Sequence, residues 1–224
     1  MKLSWILSLA IIMPLEWVAA GKSWIRLRVI TKPLSLIILI AMFLSIAGWA
    51  NPGYWFLGGL FFSLLGDIFL LLRKKYFIAG LFSFLIAHIL YIVGLSFGTL
   101  TWTGWMLVPL CIIGLLVIVA YPRIVRGVRR RLEHRHLWFP VVLYMVTITI
   151  MLLMAMLTWF RAEWDYPATL LVSLGALSFT ISDTVLATGR FLRPVPYGDF
   201  LVMFTYHLGQ LGIAVGALSM MGLI

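Results

Sequence analysis

The sequence predicts an all-α integral membrane protein, a bundle of eight transmembrane helices. Hydrophobic residues make up 63% of the 224-residue chain and charged residues only 11%, whereas soluble domains are about half apolar and about a quarter charged. The mean hydropathy of +1.10 points the same way. Eight separate apolar stretches each approach the roughly 20 residues that are needed to cross a bilayer. Lipid therefore has to be the solvent for most side chains.

The eight stretches leave no room for a soluble domain, so we expect residues 1–224 to form a single polytopic membrane domain. The gaps between the stretches are short, and several contain Pro or Gly. The predicted helices cover roughly 3–20, 30–48, 54–72, 77–97, 103–120, 138–160, 166–187 and 199–221.

The basic residues predict how the chain is oriented. Of the 17 Lys and Arg residues, 15 fall in or beside the loops after the first, third, fifth and seventh helices, and only Lys2 and Arg161 fall on the other side. Because basic loops stay in the cytoplasm, we expect a multi-pass protein of the inner cell membrane with both termini outside the cytoplasm. The alternative for the N-terminus is a signal peptide that is cleaved after Ala20, but cleavage there would leave basic residues outside.

The net charge of +10 and the basic loop 121–136 raise the question of a nucleic-acid partner. The simpler interpretation is a topology determinant that faces anionic lipid headgroups, so we expect the bilayer as partner and no nucleic acid. The sequence does not indicate an oligomeric state. Cys111 is the only cysteine, so no disulfide within the chain is possible.

Ionisable residues inside apolar helices are costly, which makes them functional candidates. They are Glu16, Lys32, Asp67, His88, Asp183 and His207. At 1.5 Å per residue, Asp67 and Asp183 both lie roughly 10 Å from the basic boundary. Glu16, Lys32 and His207 fall at a similar depth, and His88 lies nearer the middle. We expect the five residues of this layer to converge on one polar cavity; the alternative for Glu16 and Lys32 is an ion pair that merely joins the first two helices.

A short internal similarity favours pairing the two aspartates. Residues 62–70 and 178–186 each carry a hydroxyl residue three or four positions before the Asp and a small residue directly before it. Each Asp is followed by a short basic loop and a helix with a His. This similarity predicts a parallel repeat of two four-helix halves, with Asp67 and Asp183 related by the repeat.

Several short motifs together resemble the YhhN-type membrane proteins, which include the lysoplasmalogenases. The matching residues span most of the chain in order: Thr31-Lys32-Pro33, Gly66-Asp67, Gly80-Leu81 to Ala87-His88-x-x-Tyr91, Ser182-Asp183, and Tyr206 with Gln210. His207 departs from the pattern, because the family tends to carry a second Tyr there. The departure weakens any catalytic role for His207.

The resemblance implies an enzyme that hydrolyses the vinyl ether bond of a lysoplasmalogen. The products are a fatty aldehyde and a glycerophospho-ethanolamine or -choline, and the chain is expected to be a bacterial member of the family, active in lipid metabolism. The resemblance also implies that Asp67 and Asp183 are the catalytic pair. No cofactor and no metal are expected.

Two carboxyl groups suit this chemistry, because protonation of the vinyl ether gives an oxocarbenium ion like that of glycosidases, where an acid and a base divide the work. The flanking residues make Asp67 look drier and favour it as the acid, with Asp183 as the base. We expect support from Glu16, His88, Tyr91, Ser182, Tyr206, His207 and Gln210. Lys32, Arg190 or the cluster 73–75 would hold the substrate phosphate.

Two other functions fit the same residues. A zinc-dependent membrane lipid hydrolase would use His88, His207, Asp67 and Asp183 as ligands, although no HExxH motif is present. A proton-coupled transporter would use the two aspartates as proton relays.

Overall fold

The computed structural model describes residues 3–72, 74–130 and 137–224. Within them lie eight α-helices, and short 3-10 or π-helical turns extend several of these. The helices are α1 Leu3–Gly21, α2 Ile25–Ala47, α3 Gly53–Leu71, α4 Phe77–Leu95, α5 Leu107–Arg130, α6 Trp138–Leu157, α7 Tyr166–Ala187 and α8 Gly198–Met220. Lys2, Arg73, Arg131 and Arg135, which the orientation argument used, lie outside the described residues.

All eight helices are long and apolar enough to cross a membrane, and the described residues form no β-strand. The predicted all-α membrane bundle is therefore confirmed. Two helix ends differ from expectation: α2 begins at Ile25 rather than near residue 30, and α5 continues to Arg130 rather than ending near residue 120.

The part of α5 that extends beyond its predicted end is amphipathic. The prediction was based on continuous apolar stretches, which do not include such a segment. Ile124 and Val128 are buried against Phe191 and Val141, whereas Arg126 between them is exposed. Apolar residues four apart lie on one helix face. The basic residues up to Arg130 thus lie on a helix rather than in a loop.

Contacts near the helix ends group the loops into two sides. The loop after α4 pairs with the loop after α6 through Thr101 N–H to Phe160 O at 2.8 Å. Arg28 near the start of α2 bonds Asp199 near the start of α8 at 3.2 Å. We call the side with the first pair and both chain ends the terminal side. The opposite side, which holds the loops after α1, α3, α5 and α7, is the basic side.

The closest helix pair is α7 with α8, where glycines allow the backbones to touch. A Cβ atom on Gly175 would lie 2.7 Å from the backbone nitrogen of Ile213, and one on Gly212 would lie 2.8 Å from Cα of Gly175. Small residues at a crossing are the usual way for membrane helices to associate. This contact fixes Asp183 on α7 relative to Tyr206 on α8.

A polar clasp ties the two loops together on the terminal side. The Arg161 guanidinium donates to the Gly98 carbonyl at 2.6 Å, and the Trp164 indole donates to the Phe97 carbonyl at 3.0 Å. Glu163 Oε2 accepts from the Thr99 backbone N–H at 2.7 Å. The clasp joins the loop after α4 to the loop after α6.

The clasp predicts a small pH-dependent term in stability. The Thr99 N–H lowers the pKa of the Glu163 carboxyl below its ordinary 4.5. A carboxyl group whose pKa is lower in the folded than in the unfolded protein stabilises the fold at pH values above its unfolded-state pKa. This stabilisation is lost as the pH falls through the folded-state pKa. We therefore expect Glu163→Gln to lower the melting temperature slightly at pH 7 and to match the native chain well below pH 4.5. Thermal melts of both proteins in detergent across pH 3–7 measure this, and a constant difference at all pH values would contradict it.

Candidate active site

Both aspartates line one cavity of about 340 Å³ that lies toward the basic side of the bundle. About half of its apolar lining residues belong to α4, α5 and α6. Its polar and charged lining residues are Arg28, Lys32, Asp67, Tyr121, Tyr144, Thr149, Thr180, Ser182, Asp183, Thr184, Arg190, Asp199 and Tyr206. The predicted residues Lys32, Asp67, Ser182, Asp183, Arg190 and Tyr206 thus meet at a single site.

Asp67 is engaged on both carboxyl oxygens. The Lys32 ammonium lies 3.0 Å from Oδ1, and the Tyr206 hydroxyl donates to Oδ2 at 2.8 Å. Asp67 is only 1% exposed. Residues from α2, α3 and α8 therefore join in a buried three-residue group.

Asp183 has a different environment. The Tyr144 hydroxyl donates to its Oδ2, and its side chain is partly exposed, so it is the more accessible of the two carboxyl groups. This difference in exposure agrees with the polar neighbours of Asp183 in the sequence. The Tyr144 ring contacts His88 edge to face, with centroids 5.2 Å apart.

The predicted alternative of an ion pair between Glu16 and Lys32 is wrong. Glu16 is fully buried and pairs with Arg28, whose Nε lies 3.1 Å from Oε1. The Thr31 hydroxyl donates to its other oxygen at 2.5 Å. Lys32 directly follows Thr31 on α2 and therefore faces α3, where its ammonium pairs with the Asp67 carboxylate.

The remaining predicted residues lie behind the cavity wall. The Tyr91 hydroxyl donates to Oε1 of Gln210 at 2.6 Å. His88 Nδ1 lies 2.5 Å from the Phe84 carbonyl, and the Trp17 indole donates to His207 Nδ1 at 2.9 Å. Tyr91, His88, His207 and Gln210 are buried, and none of these four lines the cavity.

The expected convergence of five charged groups is therefore wrong for two of them. Lys32, Asp67 and Asp183 line the cavity, but Glu16 and His207 do not. Residue counting along a helix gives the depth of a side chain, whereas the rotation of the helix about its axis decides which neighbour the side chain faces. The sequence therefore predicted the depth of these side chains but not the neighbours that they face.

Ser182 and Arg190 have distinct roles in the cavity lining. The Ser182 hydroxyl donates to the Val202 carbonyl at 2.9 Å and so joins α7 to α8. Arg190 lies in the π-helical turn Thr188–Leu192 that continues α7, with its guanidinium 3.7 Å from the centre of the Phe77 ring. Lys75, the part of the predicted 73–75 cluster whose side chain is described, lies over Tyr76 and does not line the cavity.

Three site residues were missed by sequence reasoning. Tyr144 is a hydroxyl-bearing residue in the otherwise apolar first half of α6, which was the available signal. Arg28 was counted as part of a loop because α2 was expected to begin later. Asp199 falls at the predicted start of the eighth helix, where an acidic residue is ordinary, yet it lines the cavity and pairs with Arg28.

The described residues do not bring three His, Cys, Asp or Glu side chains close enough to share a metal ion. A catalytic zinc ion usually takes three protein ligands. His88 and His207 lie outside the cavity lining, so the described part of the chain does not assemble the ligand set that the zinc alternative requires.

The family model for the YhhN family matches residues 27–217 of this chain. The chain belongs to the YhhN family. The matched segment contains both aspartates, Lys32, Tyr144 and Tyr206.

Curated relatives of this YhhN-family chain carry the name lysoplasmalogenase. The chain is 33% identical to lysoplasmalogenase TMEM86A of Bos taurus over 165 residues, which is 72% of this chain and 64% of the relative. The human TMEM86A match has the same identity and coverage, and human lysoplasmalogenase TMEM86B is 32% identical over 161 residues. The chain thus aligns with somewhat less than two thirds of these relatives. Among solved structures, none gives a significant match.

The buried pair of Lys32 and Asp67 predicts strong energetic coupling. Removing one partner of a buried ion pair leaves the other charge uncompensated and costs about 3–5 kcal/mol. We expect Lys32→Met to destabilise the protein by this order, and Lys32→Met combined with Asp67→Asn to cost clearly less than the sum of the two single changes. Thermal unfolding of the four proteins in detergent measures the coupling, and additive effects would contradict a direct ion pair.

Proposed function

We propose that this YhhN-family protein is a lysoplasmalogenase, a membrane hydrolase that splits the vinyl ether bond of a lysoplasmalogen with two aspartates and water. The observation that carries the proposal is the presence of Asp67 and Asp183 in one cavity with different hydrogen-bond partners. The names of its relatives support the same activity.

The hydrogen bonds favour a division of labour opposite to the one that the flanking residues suggested. Asp67 is held in an ion pair with Lys32 and accepts from Tyr206, which suits a carboxylate that takes a proton from water. Asp183 is more accessible and accepts on Oδ2 from Tyr144. We therefore assign Asp183 as the general acid and Asp67 as the general base.

The reaction then proceeds in three balanced steps. Asp183 gives its proton to the β-carbon of the vinyl ether, where a C–H bond forms and the positive charge moves onto the C–O unit as an oxocarbenium ion. Water adds to the oxygen-bearing carbon of this ion and gives a proton to Asp67, which leaves a hemiacetal. The hemiacetal then returns its O–H proton to Asp183 as the C=O bond forms. The glycerol oxygen leaves with the proton of Asp67, which restores both carboxyl groups.

The tyrosines would position rather than react. Tyr144 fixes the direction of the Asp183 carboxyl, and Tyr206 fixes that of Asp67. Such positioning matters because a proton transfer needs the heavy atoms within hydrogen-bond reach. The Lys32 ammonium would also hold the attacking water on the Asp67 side of the cavity.

A lysophospholipid suits the shape of the cavity. The wall formed by α5 runs from Leu116 to Ile124, which is roughly 12 Å along a helix. Arg190 lies at the basic-side end, where a phosphate would reach it. The vinyl ether lies only a few bonds below the phosphate, so it falls near the depth of the two aspartates.

The test is aldehyde release from a purified lysoplasmalogen. We expect the native chain to release a fatty aldehyde, and Asp67→Asn and Asp183→Asn each to lower kcat by about a hundredfold or more, the usual contribution of a general acid or base. The matched control is Glu163→Gln, which also neutralises a carboxylate but lies on the terminal side, far from the cavity. It is expected to retain native activity.

The same assay separates the alternative functions. Loss of activity with a chelator, restored by zinc, would favour the metal hydrolase over the aspartate mechanism. Uptake of a solute into vesicles without aldehyde release would favour the proton-coupled transporter. If both Asp→Asn variants kept native activity, the proposed mechanism would be rejected even if aldehyde were formed.

We further propose that the protein resides in a bacterial inner membrane with its basic side in the cytoplasm. The support is the asymmetry of Lys and Arg residues, in which Arg161 is the one basic residue on the terminal side of the described chain.

Single cysteines test this orientation. With Cys111→Ser removing the only native thiol, Leu223→Cys reports on the terminal side and Gly189→Cys on the basic side. Both positions are exposed, and a side chain at Gly189 meets no atom within 4 Å. We expect a membrane-impermeant maleimide to label Leu223→Cys in intact cells and Gly189→Cys only after the membrane is opened. The reverse pattern would overturn the orientation.

A further inference from the structure

The mouth of the cavity contains an unusual group of charges. Arg28 lies between two carboxylates, with Nε 3.1 Å from Glu16 and a terminal nitrogen 3.2 Å from Asp199. The single positive charge of Arg28 is thus shared between two carboxylates. Glu16 is fully buried and also accepts from Thr31, so it is the better satisfied of the two carboxylates.

The surplus negative charge of this group falls on Asp199. Its side chain is 62% exposed, and the residue lines the cavity at its basic-side end. Asp199 lies in the first turn of α8, where a carboxylate is favoured by the helix dipole. That placement explains why an acid is tolerated there, but it does not explain why the acid shares its arginine with a buried glutamate at the cavity mouth.

A carboxylate at the mouth is unfavourable for a ligand whose headgroup is only anionic, because like charges repel at short range. The same mouth carries Arg190 on the π-helical turn after α7. A positive group and a negative group at one opening complement a zwitterion, in which a phosphate and an ammonium are a few bonds apart.

We infer that Asp199 binds the ammonium of the substrate headgroup and thereby selects amine-bearing lysophospholipids over those with an uncharged headgroup alcohol. This inference rests on the proposed function for the choice of a lysophospholipid, and it assigns recognition of the headgroup amine to one residue outside the reacting pair. Asp199 is in this view a specificity residue, which contacts the substrate at a distance from the reacting bond.

The chemistry of the carboxylate refines the ligand class. A primary ammonium can donate hydrogen bonds to a carboxylate, whereas a trimethylammonium group cannot. Quaternary ammonium groups are instead recognised by aromatic cages. The Asp199 carboxylate offers hydrogen-bond acceptors that only a primary ammonium can use. The site therefore favours ethanolamine over choline.

The test measures binding rather than turnover, so that it does not depend on hydrolysis. The probes are two saturated 1-O-alkyl lysophospholipids of equal chain length, one with a phosphoethanolamine and one with a phosphoglycerol headgroup. They carry the same phosphodiester charge, and they lack the double bond that the acid would protonate. Their affinities are measured for the purified full-length chain in nanodiscs.

We expect the native chain to bind the ethanolamine probe about fivefold more tightly than the glycerol probe, the size of an exposed charge pair. Asp199→Asn should bring the ratio of the two dissociation constants close to one, and Asp199→Glu should keep the preference. Glu163→Gln, a matched loss of an exposed carboxylate far from the cavity, should leave the ratio unchanged.

The outcomes separate this inference from the proposed activity. Equal affinities in the native chain, or a preference that survives in Asp199→Asn, would overturn the role of Asp199 even if lysoplasmalogens were hydrolysed. A preference that disappears in Asp199→Asn, without any aldehyde release from vinyl ether substrates, would uphold the headgroup site and reject the lysoplasmalogenase proposal. A role of Asp199 limited to the helix dipole would lower the melting temperature of Asp199→Asn and leave the ratio unchanged.

Discussion

The ion pair between Lys32 and Asp67 is the contact on which the rest of the site depends. Two opposite charges in an apolar bundle are tolerated only when they meet with good geometry and when further hydrogen bonds satisfy the remaining polar atoms. Here the Nζ–Oδ1 distance is 3.0 Å and the Tyr206 hydroxyl satisfies the second carboxyl oxygen. The pair thus holds α2, α3 and α8 in one arrangement around the cavity.

The packing of the other helices fixes the position of the second aspartate, Asp183, relative to this ion pair. Close glycine contacts fix α7 on α8, and the Ser182 hydroxyl adds a hydrogen bond from α7 to the Val202 carbonyl on α8. Asp183 is consequently set at a defined position relative to Tyr206 and Asp67. Tyr144 on α6 then orients its carboxyl group. Five helices, α2, α3, α6, α7 and α8, therefore position the two acids, while α4 and α5 contribute apolar lining.

The structure gives partial support to the idea of a parallel repeat. In each half, the second helix supplies a residue that contacts the Asp of the third helix: Lys32 contacts Asp67, and Tyr144 contacts Asp183. The two partners differ in charge, so the related positions have different chemistry. Asp67 is therefore paired with a cation, and Asp183 is paired with a neutral hydroxyl group. A pair of carboxyl groups that acts as acid and base requires such a difference in environment.

The sequence by itself determined the eight-helix membrane bundle, because apolar runs of spanning length leave few other solutions. It also identified Asp67, Asp183 and Lys32, since charged residues inside such runs are rare and costly. Only the tertiary structure decided which of these groups meet. Glu16 turned out to pair with Arg28, and His207 lies outside the cavity, because depth along a helix follows from residue number whereas facing depends on helix rotation and crossing. Tyr144 and Asp199 became site residues for the same reason. Neither is exceptional in the sequence, and the packing of α6, α7 and α8 is what brings them to the cavity.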